Sequence, residues 1–164
     1  MRSILNVNWD SNLPIYSISQ SELKKKGINS LLLDVDGTLV NRKSNMIPKT
    51  VKNWIIESEK LFSLYLISNN PSKKRITKLA KELDLRFMYN ASKPRKKVTL
   101  SAIKEIDGEP KNIAIIGDRI FTDIIVGNRC DIKTILVKRL NRDGLPIKLN
   151  LTLTIEKLIS HFIK

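Results

Sequence analysis

The chain has 164 residues, 41% of them apolar, and carries 30 Lys and Arg against 16 Asp and Glu, a formal net charge of +14. That length is typical of one domain, and the composition can bury a core, which excludes a disordered, collagen-like or low-complexity protein. The single cysteine, Cys130, excludes an internal disulfide and a cysteine-rich metal site, so a reducing compartment is expected. No apolar run approaches the roughly 20 residues that span a bilayer. Asn6, Asn8 and Asp10 break the N-terminal stretch too early for a secretory leader, so the expected location is cytoplasmic, with peripheral contact at a membrane surface open to it. The positive charge can draw nucleic acid, an anionic membrane surface or a phosphorylated substrate, or can reflect a Lys-, Ile- and Asn-rich composition alone.

In chain order, residues 1–18 read as an N-terminal arm and residues 19–164 as a single domain. Five short apolar runs read as buried strands: Ser30 to Asp34, Phe62 to Ser68, Arg86 to Tyr89, Asn112 to Asp118 and Ile132 to Val137. Between them lie segments with helical spacing. Pro48 to about Glu59 aligns Val51, Trp54 and Ile55, and Pro71 to about Leu83 aligns Ile76, Leu79, Ala80 and Leu83. Pro94 to Ile106 and Ile120 to Arg129 follow, and a last helix from about Thr154 places Ile155, Leu158, Ile159 and Phe162 on one stripe, expected to pack on the sheet. Trp9, Trp54 and Tyr16 read as core residues, Cys130 as buried packing, and His161 as structural. The succession predicts an α/β fold: doubly wound, Rossmann-like, three layers around a mainly parallel five-stranded sheet, with no large cap domain. In such a sheet the ligand site lies at the carboxyl ends of the strands.

Polar groups do gather where the apolar runs stop. Asp34-Val35-Asp36-Gly37-Thr38 ends one run, Ser68-Asn69-Asn70 another, and Gly117-Asp118 a third, with Asp123 soon after; Ser92-Lys93-Pro94 opens a helix. On a parallel sheet these bring four carboxylates, a hydroxyl and an ammonium to one edge. Crowded carboxylates repel unless a cation sits among them, and oxygen-only ligands favour Mg²⁺. Two acids at i and i+2 suit a nucleophile and a general acid/base. Asp34 would attack phosphorus while Asp36 protonates the leaving alkoxide and later activates water. Lys93 supplies positive charge, and Ser68 with the backbone N–H groups near Asn69 can hold phosphoryl oxygens.

These residues resemble the haloacid dehalogenase (HAD) superfamily, whose four motifs match in order: Asp-x-Asp-x-Thr at 34–38, Ser68, Lys93, and Gly-Asp-x-x-x-x-Asp at 117–123. The resemblance implies that Asp34 is the nucleophile. Its carboxylate, the Asp36 carbonyl, Asp118 and Asp123 would form the Mg²⁺ site, with Asp123 acting through water or by orienting Lys93. An acid at position 36 implies a phosphatase or phosphomutase rather than a dehalogenase or ion pump. About 30 residues separate Asp36 from Ser68 and about 24 separate Ser68 from Lys93, too few for an inserted cap. An open site suits a head group on a large body. The finer motifs Ser-Asn-Asn-Pro, Ala-x-Lys-Pro and Gly-Asp-x-x-x-Thr-Asp resemble a capless subclass III branch that includes mitochondrial and plastid phosphatidylglycerophosphate phosphatases. That resemblance implies phosphatidylglycerophosphate as substrate. A broad phosphatase for nucleotides, sugar phosphates or phosphoproteins is the alternative enzyme, and a non-catalytic basic nucleic-acid-binding module the alternative of another class.

Two basic clusters, Lys73-Lys74-Arg75 and Arg95-Lys96-Lys97, fall in first helical turns, where cations are unfavourable by a few tenths to about 1 kcal/mol each. They are expected either to dock on acidic lipid or to be ordinary solvated faces. Lys24 to Lys26, before Gly27, sit where a helix C-terminus welcomes cations. A calcium loop counted from Asp34 fails, because Leu39 and Asn45 stand where Gly and Glu are needed. Aromatic residues are 5% and none is interleaved with the basic runs, which disfavours nucleic acid.

Overall fold

The computed structural model describes residues 4–106, 108–148 and 151–162, with the side chains of residues 153–159 in the last helix. Six strands form one sheet: β1 (Trp9–Asp10), β2 (Ser30–Leu33), β3 (Ser63–Ile67), β4 (Arg86–Met88), β5 (Ile113–Gly117) and β6 (Lys133–Leu136). Their order is β1-β6-β5-β2-β3-β4, and every neighbouring pair is parallel. Among the described residues six α-helices accompany them: α1 (Gln20–Lys25), α2 (Lys49–Glu59), α3 (Lys73–Leu83), α4 (Lys96–Glu105), α5 (Ile125–Arg129) and α6 (Leu151–Phe162). The expected count of five strands becomes six because Trp9 and Asp10 pair with Ile135 and Leu136 at the sheet edge. A two-residue strand leaves no period in the sequence.

Alternation along the strands builds the layers. Leu31 and Leu33 of β2 and Leu64 and Leu66 of β3 meet Val51, Trp54 and Ile55 of α2 and Ile76, Leu79, Ala80 and Leu83 of α3. On the opposite face Leu32, Tyr65 and Ile67 meet Ala102 and Ile103 of α4 and Val126 of α5. The helices start just after Pro48, Pro71 and Pro94, and Ser72 caps α3 by accepting from Arg75 N at 3.3 Å. Trp54 is buried and donates its indole N–H to Ile18 O at 2.8 Å, and Cys130 is a buried free thiol.

From β2 the chain winds outward through β3 to β4, then returns to the other side of β2 as β5 and continues to β6. Strand order therefore reverses at the β2–β5 pair, where Leu33 lies opposite Ile116. Connections leaving the two strands diverge, which opens a crevice at their carboxyl ends. From Asp36 to Ser68 the chain makes only a loop, α2 and β3, and from Ser68 to Lys93 only α3 and β4, so no cap domain covers it.

The last helix departs from expectation. Ile155, Leu158 and Ile159 do not pack on the sheet; they are 55, 56 and 38% exposed, while Glu156 is buried and Leu153 packs against Ile120, Ile124 and Leu136. The Glu156 carboxylate accepts from Ile120 N at 2.7 Å and from the Arg119 guanidinium at 3.3 Å, which turns that side of α6 inward. The side chains of His161 and Phe162 lie outside those described. Among the described residues no helix is long and apolar enough to cross a membrane.

Candidate active site

Asp34 is the first residue after β2 and is buried at the floor of the crevice. Thr38 Oγ1 donates to its Oδ2 at 2.9 Å and Lys93 Nζ to its Oδ1 at 2.7 Å, so both oxygens are oriented. The turn between Asp34 and Thr38 depends on Gly37, whose φ is +103°; a Cβ there would stand 2.7 Å from Asp118 Oδ2. Glycine thus supplies the backbone conformation and leaves room for the facing acid.

Lys93 arrives from the loop between β4 and α4. Its ammonium donates to Asp34, to Asp123 Oδ1 at 2.6 Å and to Ile67 O at 3.1 Å, which uses all three protons. Burial by itself would lower its pKa, but Asp123 and Asp34 hold it above the ordinary lysine value. The Asn69 side chain fixes this loop by donating to Lys93 O at 2.9 Å and accepting from Lys93 N at 2.7 Å. Asp123 reaches the cluster from a π-helical turn over Ile120–Ile124 and also accepts from Arg119 N at 3.2 Å. Its carboxyl packs so closely on β5 that a Cβ at residue 117 would lie 2.3 Å from its Cγ, which explains Gly117.

Asp118 directly follows β5. Its Oδ2 accepts from Arg139 Nε, while its Oδ1 is buried without a hydrogen-bond partner. Burial, then Asp34 and Asp123, push its pKa up to about 7; burial likewise raises Asp123 to about 6, with Lys93 opposing. Asp34, Asp118 and Asp123 each offer an oxygen within 4.8 Å of the others. An all-oxygen donor set with one orphaned carboxylate oxygen fits a hard divalent cation such as Mg²⁺, which would relieve the repulsion that the raised pKa values record.

The Asp36 carboxylate stands apart from that trio, half-buried on the crevice wall. Asn70 Nδ2 donates to its Oδ2 at 2.9 Å, and Arg75 Nη1 forms an ion pair with its Oδ1 at 2.7 Å. Ser68 is fully buried and its hydroxyl accepts from Asn70 N at 3.1 Å, so Asn69 and Asn70 make the wall in front of it. Two functions went unread in the sequence. Arg75 looked like a rim cation, yet it pairs with Asp36 and braces the loop after β2 through Ser44 O at 2.9 Å and Asn45 Oδ1 at 3.1 Å. Arg139 carried no motif, although its place just past the end of β6 puts it on the same sheet edge as the acids.

The four acids line an open cleft of about 600 Å³ together with Asn69, Asn70, Lys93 and Arg139, and the cleft also carries Arg42, Lys43, Arg119 and Arg142. Comparison with known proteins agrees with this geometry. A family model for HAD-hydrolase-like proteins matches residues 90–143. The chain is 30% identical over 125 residues to the probable phosphatase YqeG of Bacillus subtilis, covering 75% of this chain and 72% of that one. Among solved structures, the putative HAD-hydrolase YfnB of Bacillus subtilis bound to magnesium superposes with a TM-score of 0.55 at 13% identity, over 73% of this chain and 90% of that one. An uncharacterised protein from Listeria monocytogenes gives 0.56 at 16% identity, over 77% and 86%.

Proposed function

The chain belongs to the HAD-like phosphatases, and from that premise we propose that it is a Mg²⁺-dependent phosphomonoester hydrolase working through an aspartyl-phosphate on Asp34, with phosphatidylglycerophosphate as its leading substrate. The observation that carries the reading is the convergence of Asp34, Asp118 and Asp123 around the Lys93 ammonium, with Asp118 Oδ1 left unpartnered. Asp34, Asp118 and Asp123 would hold Mg²⁺, with the Asp36 carbonyl, and the ion would neutralise charge on the transferring phosphoryl group. Magnesium bound to the structural neighbour YfnB supports that assignment.

Asp34, oriented by Thr38 and Lys93, attacks phosphorus through a carboxylate oxygen. The phosphorus–ester oxygen bond breaks, and the leaving alkoxide takes a proton from the Asp36 carboxyl, which Asn70 and Arg75 position on the wall. Asp36 then removes a proton from water, whose oxygen attacks the acyl phosphate, releasing inorganic phosphate and restoring Asp34. The Lys93 ammonium, whose protons are held by Asp34, Asp123 and Ile67 O, would supply positive charge beside the phosphoryl group, and the Asn69 backbone N–H next to Ser68 would hold an equatorial oxygen. The uncapped cleft supports a substrate that extends beyond it, which is the basis for a phospholipid head group.

The test is phosphate release from a panel comprising phosphatidylglycerophosphate in mixed micelles, its deacylated head group, nucleoside monophosphates and sugar phosphates. The lipid is expected to give the highest kcat/KM, with release abolished by chelator. Equal rates across the panel would replace the lipid reading with a broad phosphatase. Release from no ester, with tight salt-dependent nucleic-acid binding, would overturn catalysis altogether.

A further inference from the structure

Among the described residues, six basic and four acidic side chains line the cleft. Three of the bases are held by acids: Lys93 by Asp34 and Asp123, Arg139 by Asp118, and Arg119 by Glu156. Arg42, Lys43 and Arg142 are different, for none of them makes an ion pair among the described residues. Gathering three unneutralised cations at one mouth costs repulsion that an anionic ligand would relieve.

The loops that carry them are built rather than loose. Arg42 follows Asn41 and Arg142 follows Asn141. Asn41 Oδ1 accepts from Lys43 N at 3.0 Å, and Asn141 Oδ1 accepts from Asp143 N and Leu145 N at 2.9 Å each, so each asparagine closes the turn beside its cation. Asn41 Nδ2 also donates to Leu140 O at 3.1 Å, which ties the two loops together, and Leu140 N donates to Gly37 O at 2.8 Å, which anchors them to the catalytic turn. The backbone from which the three cations project is thereby tied to the turn that carries Asp34.

We infer that Arg42, Lys43 and Arg142 form a subsite for a second, non-scissile phosphate, so that the preferred substrate is a phosphomonoester carrying a further phosphate group. This rests on the phosphatase reading of the cleft floor. Charge supports it: with a divalent cation among the acids, the lining bears four surplus positive charges, of which a dianionic monoester balances two. A phosphodiester in a lipid head group and a phosphate on a soluble molecule present the same oxygens, so the experiment must separate them.

Three substrates suffice: sn-glycerol 3-phosphate with one phosphate, deacylated glycerophosphoryl-glycerophosphate with two, and the corresponding lipid in micelles. Wild type is expected to favour both two-phosphate substrates over the single phosphate by at least about tenfold in kcat/KM, a gap that shrinks near ~0.5 M salt. The combined variant Arg42→Gln, Lys43→Gln, Arg142→Gln should bring the ratio close to one, mainly by raising KM for the two-phosphate substrates. A ratio that survives in the variant, or a preference for the lipid alone, overturns the subsite. Calorimetric binding of the deacylated head group to Asp34→Asn, with and without the three substitutions, gives a readout that needs no turnover. At least about tenfold weaker binding supports the subsite, and unchanged binding overturns it even if every ester proves unreactive. Arg142→Gln alone, with its melting curve, serves should the combined variant fail to fold.

Discussion

The floor of the cleft and its mouth are both charged, but they handle charge in opposite ways. On the floor Asp34, Asp123 and Lys93 are buried and hydrogen-bonded to one another, so each group's place is set by its partners. At the mouth Arg42, Lys43 and Arg142 are exposed and held only through the backbone of their loops. Buried pairs tolerate no change of partner, whereas exposed cations act additively and are screened by salt. The floor is thus suited to chemistry and the mouth to selection among substrates.

Several perturbations would break or sharpen that contrast. Asp34→Asn removes the nucleophile while retaining the shape of the site, and phosphate release should fall by about 10⁴-fold or more, independent of ionic strength. Lys93→Met leaves Asp34 and Asp123 buried without their cation. Urea unfolding should show a loss of about 3–5 kcal/mol, and a stability equal to wild type would mean that the ammonium does not hold the floor together.

The floor should also titrate. Asp118 and Asp123 have folded pKa values raised to about 7 and about 6, above those of the unfolded chain, so the folded, chelated protein binds more protons across this range. The stability these groups contribute is complete below their unfolded pKa and is lost as pH rises through the folded values. Melting in chelator should therefore drop from pH 5 to pH 8, and a rise over that interval would contradict the raised values. The smallest effect belongs to the mouth: Arg142→Gln alone should cost only a few-fold in kcat/KM for a two-phosphate substrate, and less at high salt.

How far the sequence disclosed all this depended on whether a feature was local. Strands β2, β3 and β5 are largely apolar runs that stop at Asp34, Ser68 and Asp118, so their positions and the polar groups at their ends could be read together. The β1 strand could not, because Trp9–Asp10 is held by pairing with β6 across 126 residues and not by any pattern of its own. Helix α6 was misread for a related reason. Ile155, Leu158 and Ile159 form the stronger apolar stripe, yet the hydrogen bonds that Glu156 accepts from Ile120 N and Arg119 orient the helix the other way. Arg75 and Arg139 belong to the same class, since their partners Asp36 and Asp118 lie 39 and 21 residues away and only the folded sheet edge brings them together.

The convergence of Asp34, Asp118 and Asp123 on one divalent cation can be measured directly by titrating Mg²⁺ into the wild-type chain and into Asp118→Asn in a calorimeter. One ion per wild-type chain, with affinity reduced at least about tenfold in the variant, is the expected result. Absence of Mg²⁺ binding to wild type, or equal binding by both chains, would contradict it.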